Sequence, residues 1–245
     1  MNAVVREAWS TLVPDMNGRH GPLPPLLLGL TVVTGLVDAF SYLVLGHVFV
    51  ANMTGNVVFS GFAIAGAAGF SLTASVVALA TFAVGALAGG RITRAAGPQR
   101  ARILHQGLLV QTVLVIAAYL LAQLAAPTTH GPAVRYALIA MLGIGMGLQN
   151  AVVRTLAVPD LTTTVLTMTV TGTAADSRLA GGSGSKGGRR MLSAAAMFLG
   201  GLLGALAVLH GHSALPLLLA ALMLAAATAV TRPLSRSDAA WTQPV

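Results

Sequence analysis

The chain has no cysteine, and only 8% of its residues are charged. Without thiols there is no disulfide framework, no thiolate metal site and no cysteine nucleophile. The shortage of charge excludes more. Soluble domains carry roughly a quarter charged residues, and a soluble fold of 245 residues could not cover its surface with so few. Acidic residues are scarcest, 6 Asp and Glu against 14 Lys and Arg. The net charge of +8 is spread thinly. It reads as membrane-topology charge and not as a phosphate-binding stripe, so nucleic acid is not expected as a partner. No Ser-His-Asp set or pair of facing carboxylates stands out, so no catalytic residue, cofactor or enzymatic activity is expected. His210 and His212 lack a further ligand nearby, so no metal site is expected either. Gly181–Gly187 superficially suggests a phosphate loop, but it lacks the Gly-Lys-Ser/Thr ending and reads as a flexible basic loop.

What the chain does have is apolar length: 56% hydrophobic residues and a mean hydropathy of +0.82. Eight apolar stretches run about 24–46, 48–68, 72–90, 103–126, 133–154, 161–176, 191–209 and 214–231. A helix needs about 20 apolar residues to span a bilayer, so the class is an all-α polytopic membrane protein. The second and sixth stretches are poor spans. One contains Asn52, Thr54, Gly55 and Asn56, and the other follows Pro159-Asp160 and is rich in threonine. Charge placement tests them. If all eight cross, Lys and Arg divide 9 to 5 between the two sides; if these two enter and leave on one side, the division is 13 to 1, with Arg135 alone outside. The second division is what the positive-inside rule expects, and because the rule fixes parity alone, a full span paired with a neighbour that does not cross fits as well. The expectation is six transmembrane helices plus two re-entrant or broken helices in a single membrane domain over 23–231. A cytoplasmic tail at 1–22, which lacks the apolar core of a signal peptide, and another at 232–245 flank it.

The order span, broken segment, span, span then occurs twice, over about 24–126 and 133–231, and three crossings per half make the halves inverted repeats. Gly35-Leu36-Val37-Asp38-Ala39 resembles Gly147-Leu148-Gln149-Asn150-Ala151, Thr54 falls opposite Thr167, and Gly85 and Gly89 fall opposite Gly200 and Gly204, with offsets of 112, 113 and 115. Inverted repeats with discontinuous midplane elements mark transporters.

Asp38 stands deep in the first span, where a carboxylate is costly and faces protein or a water-filled cavity. It reads as a proton or cation site or an anchor for a polar substrate, and alternatively as a structural carboxylate capping a broken helix or pairing with an arginine. Ser41 and Tyr42 share its helix face. Asn52-Met53-Thr54-Gly55-Asn56 reads as the start of a half-helix aiming its positive end at a cavity, Gly55 allowing unusual dihedrals and the amides satisfying freed backbone. Its counterpart is Gln149, Asn150 and Arg154, the arginine being either a partner of Asp38, an anion donor or a snorkelling residue. Thr164 and Thr167, within the Thr162–Thr173 run, are candidates to line a pathway, the commoner alternative being that such threonines bond the i−4 carbonyls of their own helix. The small-residue pairs Gly85/Gly89, Gly143/Gly147 and Gly200/Gly204 suit packing within one bundle, with a homo-oligomer as the alternative.

Gly35-Leu-Val-Asp-Ala-Phe-Ser-Tyr-Leu, Val48-Phe-Val-Ala-Asn-Met-Thr-Gly-Asn56 and Gly145-Met-Gly-Leu-Gln-Asn-Ala151 resemble the YoaK-like family of bacterial membrane proteins, over nearly the whole chain from about 24 to 230. The resemblance implies about six spans, a bacterial inner-membrane location and no known enzyme activity, and it supplies no substrate. The sequence departs from the pattern at Thr167-Met168, where Thr-Gly would be expected. The function expected is a small secondary transporter or channel for a small polar or ionic solute. Asp38, Asn52, Thr54, Asn56, Asn150 and Thr167 would line its midplane site. The alternative is a non-transporting scaffold or lipid-interacting protein. The bilayer and an unidentified solute are the partners implied.

Overall fold

The computed structural model of the chain describes residues 3–125, 131–164, 166–175, 180–181, 187–237 and 239–243. Arg178 and Lys186, counted in the charge division, and most of the Gly181–Gly187 loop lie outside the described residues. The elements in order are α1 (Ala3–Leu12), α2 (Leu23–Val44), α3 (Met53–Ile64), α4 (Leu72–Ala95), α5 (Arg100–Leu124), α6 (Pro132–Leu156), α7 (Leu166–Ala175), α8 (Gly187–Leu209) and α9 (Leu215–Leu234), then a 3₁₀ turn at Ala240–Thr242. Six of these, α2, α4, α5, α6, α8 and α9, are long and apolar enough to cross a membrane. With 12 and 10 residues, α3 and α7 reach only about 15–18 Å at 1.5 Å per residue, roughly half of a bilayer core. Six spans and two short helices are therefore as expected. The short ones are trimmed further than hydropathy alone suggests.

Local chemistry sets the ends. Prolines stand in the first turns of α2, α6 and α9, where a missing N–H costs nothing. Ser71 caps α4 by accepting from the Ala74 N–H. Ala157, left-handed at φ 50°, stops α6 just before Val158-Pro159. Leu124, Phe198 and Leu209 are more than two-thirds exposed, on faces that a soluble protein would cover.

Helix pairing follows a regular scheme. α4 packs on α6 and α2 on α8; α5 packs on α6 and α9 on α2; α3 lies on α4 and α7 on α8; α5 and α9 pack on each other. The closest crossings use glycine. A side chain at Gly85 would strike the Ile144 carbonyl, and one at Gly200 would strike that of Val32. Gly147 lies against Phe82 and Ala86, and Gly35 against Met197 and Gly201. Each of these α4·α6 residues thus stands 112 or 115 positions before or after its counterpart in the α2·α8 crossing. These glycine pairs pack inside the chain itself.

Both short helices leave and return at one face. After α2, His47 bonds through Nδ1 to the Gly69 carbonyl at 2.9 Å, just ahead of α4. After α6, Asp160 pairs with Arg190 at 2.9 Å, in the first turn of α8. His47 and Asp160 are both left-handed, at φ 55° and 63°, and they stand 113 residues apart.

The chain ends meet at one face around Arg100, 3% exposed at the start of α5. Its guanidinium donates to the carbonyls of Arg19, Trp241 and Leu156, the last at 2.6 Å, and lies 3.2 Å from His20 Nδ1. A cation on the last carbonyl of α6 is favourably placed against the helix dipole. Gln99 donates to the Ser237 carbonyl and the Gly188 N–H to Glu7. Arg135 lies at the opposite face, its guanidinium donating to the Gly46 carbonyl.

Burial, then the positive charges of Arg100, Arg189 and Arg19, holds the His20 imidazole below its ordinary 6.5. The folded state therefore resists a proton that the unfolded chain accepts. Stability is full above pH 6.5, falls as the pH drops below it, and levels off once folded His20 also protonates. The expected result is a melting temperature in detergent that falls between about pH 7 and pH 5, with a shallower fall in His20→Gln.

Candidate functional site

The site is built where α2 ends and α3 begins. Asp38 Oδ1 accepts the backbone N–H groups of Val50 and Ala51, at 3.1 and 2.9 Å. The carboxylate thus folds the α2–α3 connection back onto the helix that carries it. Its other oxygen has no hydrogen-bond partner among the described residues, and Asp38 lines a cavity of about 760 Å³. Asn56, fully buried, completes the connection: it accepts the Phe49 N–H at 3.0 Å and donates to the Phe49 carbonyl at 2.6 Å. Gly55 is ordinary helix, and its dihedrals are not what matters. It supplies room, because a side chain there would come within 2.8 Å of the Phe49 ring. The Asn-Met-Thr-Gly-Asn segment therefore serves chiefly to seat Phe49.

Seven of the twelve residues singled out from the sequence line this cavity: Asp38, Tyr42, Asn52, Thr54, Gly55, Thr164 and Thr167. Asn56 does not, being spent on Phe49. Ser41 is buried and donates to the Asp38 carbonyl at 3.2 Å. Sequence reasoning missed Phe49, Phe59, Thr34 and Met197 in the wall. Phe49 and Phe59 were within its reach, ten residues apart around the polar block, but read alone each is an ordinary apolar residue.

A second cavity, about 620 Å³, lies at the end of α6. Asn150, Arg154, Thr155, Thr162 and Thr164 line it, with Phe82, Ala86 and Gly90 of α4. Its wall matches the first at the same offsets: Asn150 stands for Asp38, Arg154 for Tyr42, Thr164 for Ala51, Phe82 for Met197 and Ala86 for Gly201. Asp38 and Arg154 do not meet, since they line different cavities. The first cavity lies at the C-terminal part of α2, toward the face of Arg135. The second lies at the C-terminal part of α6, toward the face where the chain ends gather.

Thr164 belongs to both walls and donates to Asn150 Oδ1 at 2.6 Å. Behind it runs a buried polar chain. Gln111 donates to Gln149 Oε1 at 2.7 Å, and Gln149 donates to Thr34 and Thr163 at 3.0 and 3.2 Å. All four are at most 2% exposed. Gln149, placed with the site from sequence, thus lies within the partition and lines neither cavity. Buried amides bonded this fully favour one arrangement of the helices that carry them.

Six apolar helices, each long enough to span a bilayer, define a multi-pass integral membrane protein. The chain belongs to the family described as "Protein of unknown function (DUF1275)", whose model matches residues 26–230. It is 33% identical over 146 residues to the UPF0700 transmembrane protein YoaK of Bacillus subtilis (strain 168), a match covering 59% of this chain and 63% of that one. The chain thus spans somewhat less than two thirds of the length of that relative. No solved structure matches.

Proposed function

We propose that the protein is a small secondary transporter or channel for a small polar or ionic solute, in the bacterial inner membrane with both termini cytoplasmic. It is not read as an enzyme. The observation that carries this reading is the pair of matched cavities toward opposite faces, separated by the Thr164–Asn150 contact, with a carboxylate in the wall of one and a guanidinium in the wall of the other. The swapped helix pairing and the repeated glycine crossings support two inverted repeats, the architecture in which alternating access arises from rocking one repeat on the other. In a transporter, the free oxygen of Asp38 would take the coupling proton. The gathering of arginines at the face of the chain ends, with Arg135 opposite, supports the orientation.

A second reading, a lipid-interacting protein, draws on α1 and the residues after it, where Val5, Trp9, Leu12, Val13 and Met16 are all at least half exposed. Such a stripe suits a membrane interface. It is compatible with transport and does not account for the cavities.

The cysteine-free chain permits a clean test. Thr54→Cys and Thr155→Cys report on the first and second cavities. With membrane-impermeant thiol reagents, the first should label from the periplasmic side and the second from the cytoplasmic side. Labelling of both from one side, or of neither, overturns the reading.

A further inference from the structure

We infer that the first cavity is a site for an organic ammonium group, carried by a small amine or by a lipid headgroup; this rests on the cavity's being a ligand site, as proposed above. The wall supplies the two things an ammonium needs. One is a carboxylate: among the described residues Asp38 is the single charged one lining the cavity, and one of its oxygens has no hydrogen-bond partner there. The other is aromatic surface. Tyr42, Phe49 and Phe59 all line the cavity and brace one another, with ring centroids 5.0 Å apart for Tyr42–Phe49, 5.7 Å for Phe49–Phe59 and 6.0 Å for Tyr42–Phe59. Cations are drawn to aromatic rings by the ring quadrupole, most strongly where water is excluded.

The construction is directed at these groups. Asn56 grips both backbone groups of Phe49, Gly55 makes room for its ring, and Asp38 holds the next two backbone N–H groups. A wall held in place before the ligand arrives costs little ordering on binding. The volume of about 760 Å³ falls in the range of small-molecule sites. It is too wide and too apolar for a bare metal cation, which asks for about six close oxygens. The first turn of α3 brings a partial positive charge of about half a unit to the same wall, and the full charge of the carboxylate outweighs it. The matched second cavity lacks the combination. Asparagine replaces the carboxylate and Arg154 replaces the tyrosine, so ammonium binding belongs to one side.

The test compares choline with dimethylbutanol, its uncharged carbon isostere, as ligands of the purified full-length protein in nanodiscs of phosphatidylglycerol. Choline should bind at least about tenfold more tightly. Asp38→Asn should remove that preference, and Gly29→Ala, which has open space around the added carbon, should keep it. Because the isostere comparison uses the unaltered protein, a folding defect in a variant does not affect it. Equal binding of the two, or binding of neither, overturns the inference. Repeating the titration in discs containing phosphatidylethanolamine separates the sources. Choline affinity that falls there identifies a lipid headgroup as occupant, and unchanged affinity identifies a soluble amine. Two-sided cysteine labelling without choline binding would refute the ligand class and leave the pathway standing. Choline binding without two-sided labelling would do the reverse.

Discussion

Gly85→Ala is expected to prevent normal folding, although it adds a single methyl group. The new carbon would have to occupy the space of the Ile144 carbonyl oxygen, so α4 and α6 must separate along their whole crossing. Ordinary overpacking costs about 1–3 kcal/mol because side chains can yield. Here the obstacle is backbone, and the loss should exceed that range. In a bilayer, close packing is also most of what holds helices together, since lipid chains are as apolar as the side chains they replace. Gly200→Ala should behave the same way against the Val32 carbonyl. Gly29→Ala is the control. It has open space around the new carbon, and alanine gains about 1 kcal/mol in a helix. Size-exclusion profiles and melting curves in detergent read the result. Monodisperse protein of normal melting temperature from Gly85→Ala would contradict the packing.

Asp38 should divide into two roles when replaced in two ways. Asparagine keeps an oxygen in the position of Oδ1, so the Val50 and Ala51 N–H groups remain paired and the melting temperature should change little. Alanine leaves both N–H groups without an acceptor. At roughly 1–3 kcal/mol for each, the expected cost is roughly 2–6 kcal/mol, enough to reduce the yield of folded protein. Function should respond differently. In proteoliposomes, counterflow of labelled choline should fall at least about tenfold in Asp38→Asn, because a neutral amide has lost the charge that faces the cavity. A carboxylate of purely structural importance would give the opposite pattern, with full counterflow in every variant that folds.

The spans were legible because each carries a long apolar run, and the two short helices because polar residues interrupt their stretches and the positive-inside rule favours segments that do not cross. Asp38 was legible because a carboxylate in an apolar run has few structural excuses. The aromatic wall was not. Phe49 and Phe59 look like any lipid-facing phenylalanine until the connection folds back and places them beside Asp38. Asn56 was assigned to the cavity by its neighbours in sequence, yet a helix turns its side chain the other way, onto Phe49. The sequence left Arg154 open as a partner of Asp38, an anion donor or a snorkelling residue; Asp38 and Arg154 lie toward the C-terminal ends of α2 and α6. Those ends point to opposite faces, which an offset along the chain does not reveal until direction is added. Gln111, one of three glutamines in α5, gave no signal of the partner that gives it meaning.

The helix pairing also bears on how the protein is made. The first helix of each half takes its closest partner from the other half, α2 with α8 and α6 with α4. When the ribosome has delivered the first half to the membrane, α2 and α4 still lack the surfaces against which their glycines fit, and Asp38 already stands in the bilayer. The early chain must therefore wait, loosely assembled, until α6 and α8 arrive. A gene cut between α5 and α6 should yield two fragments that are each short-lived when made alone, and that persist when made together.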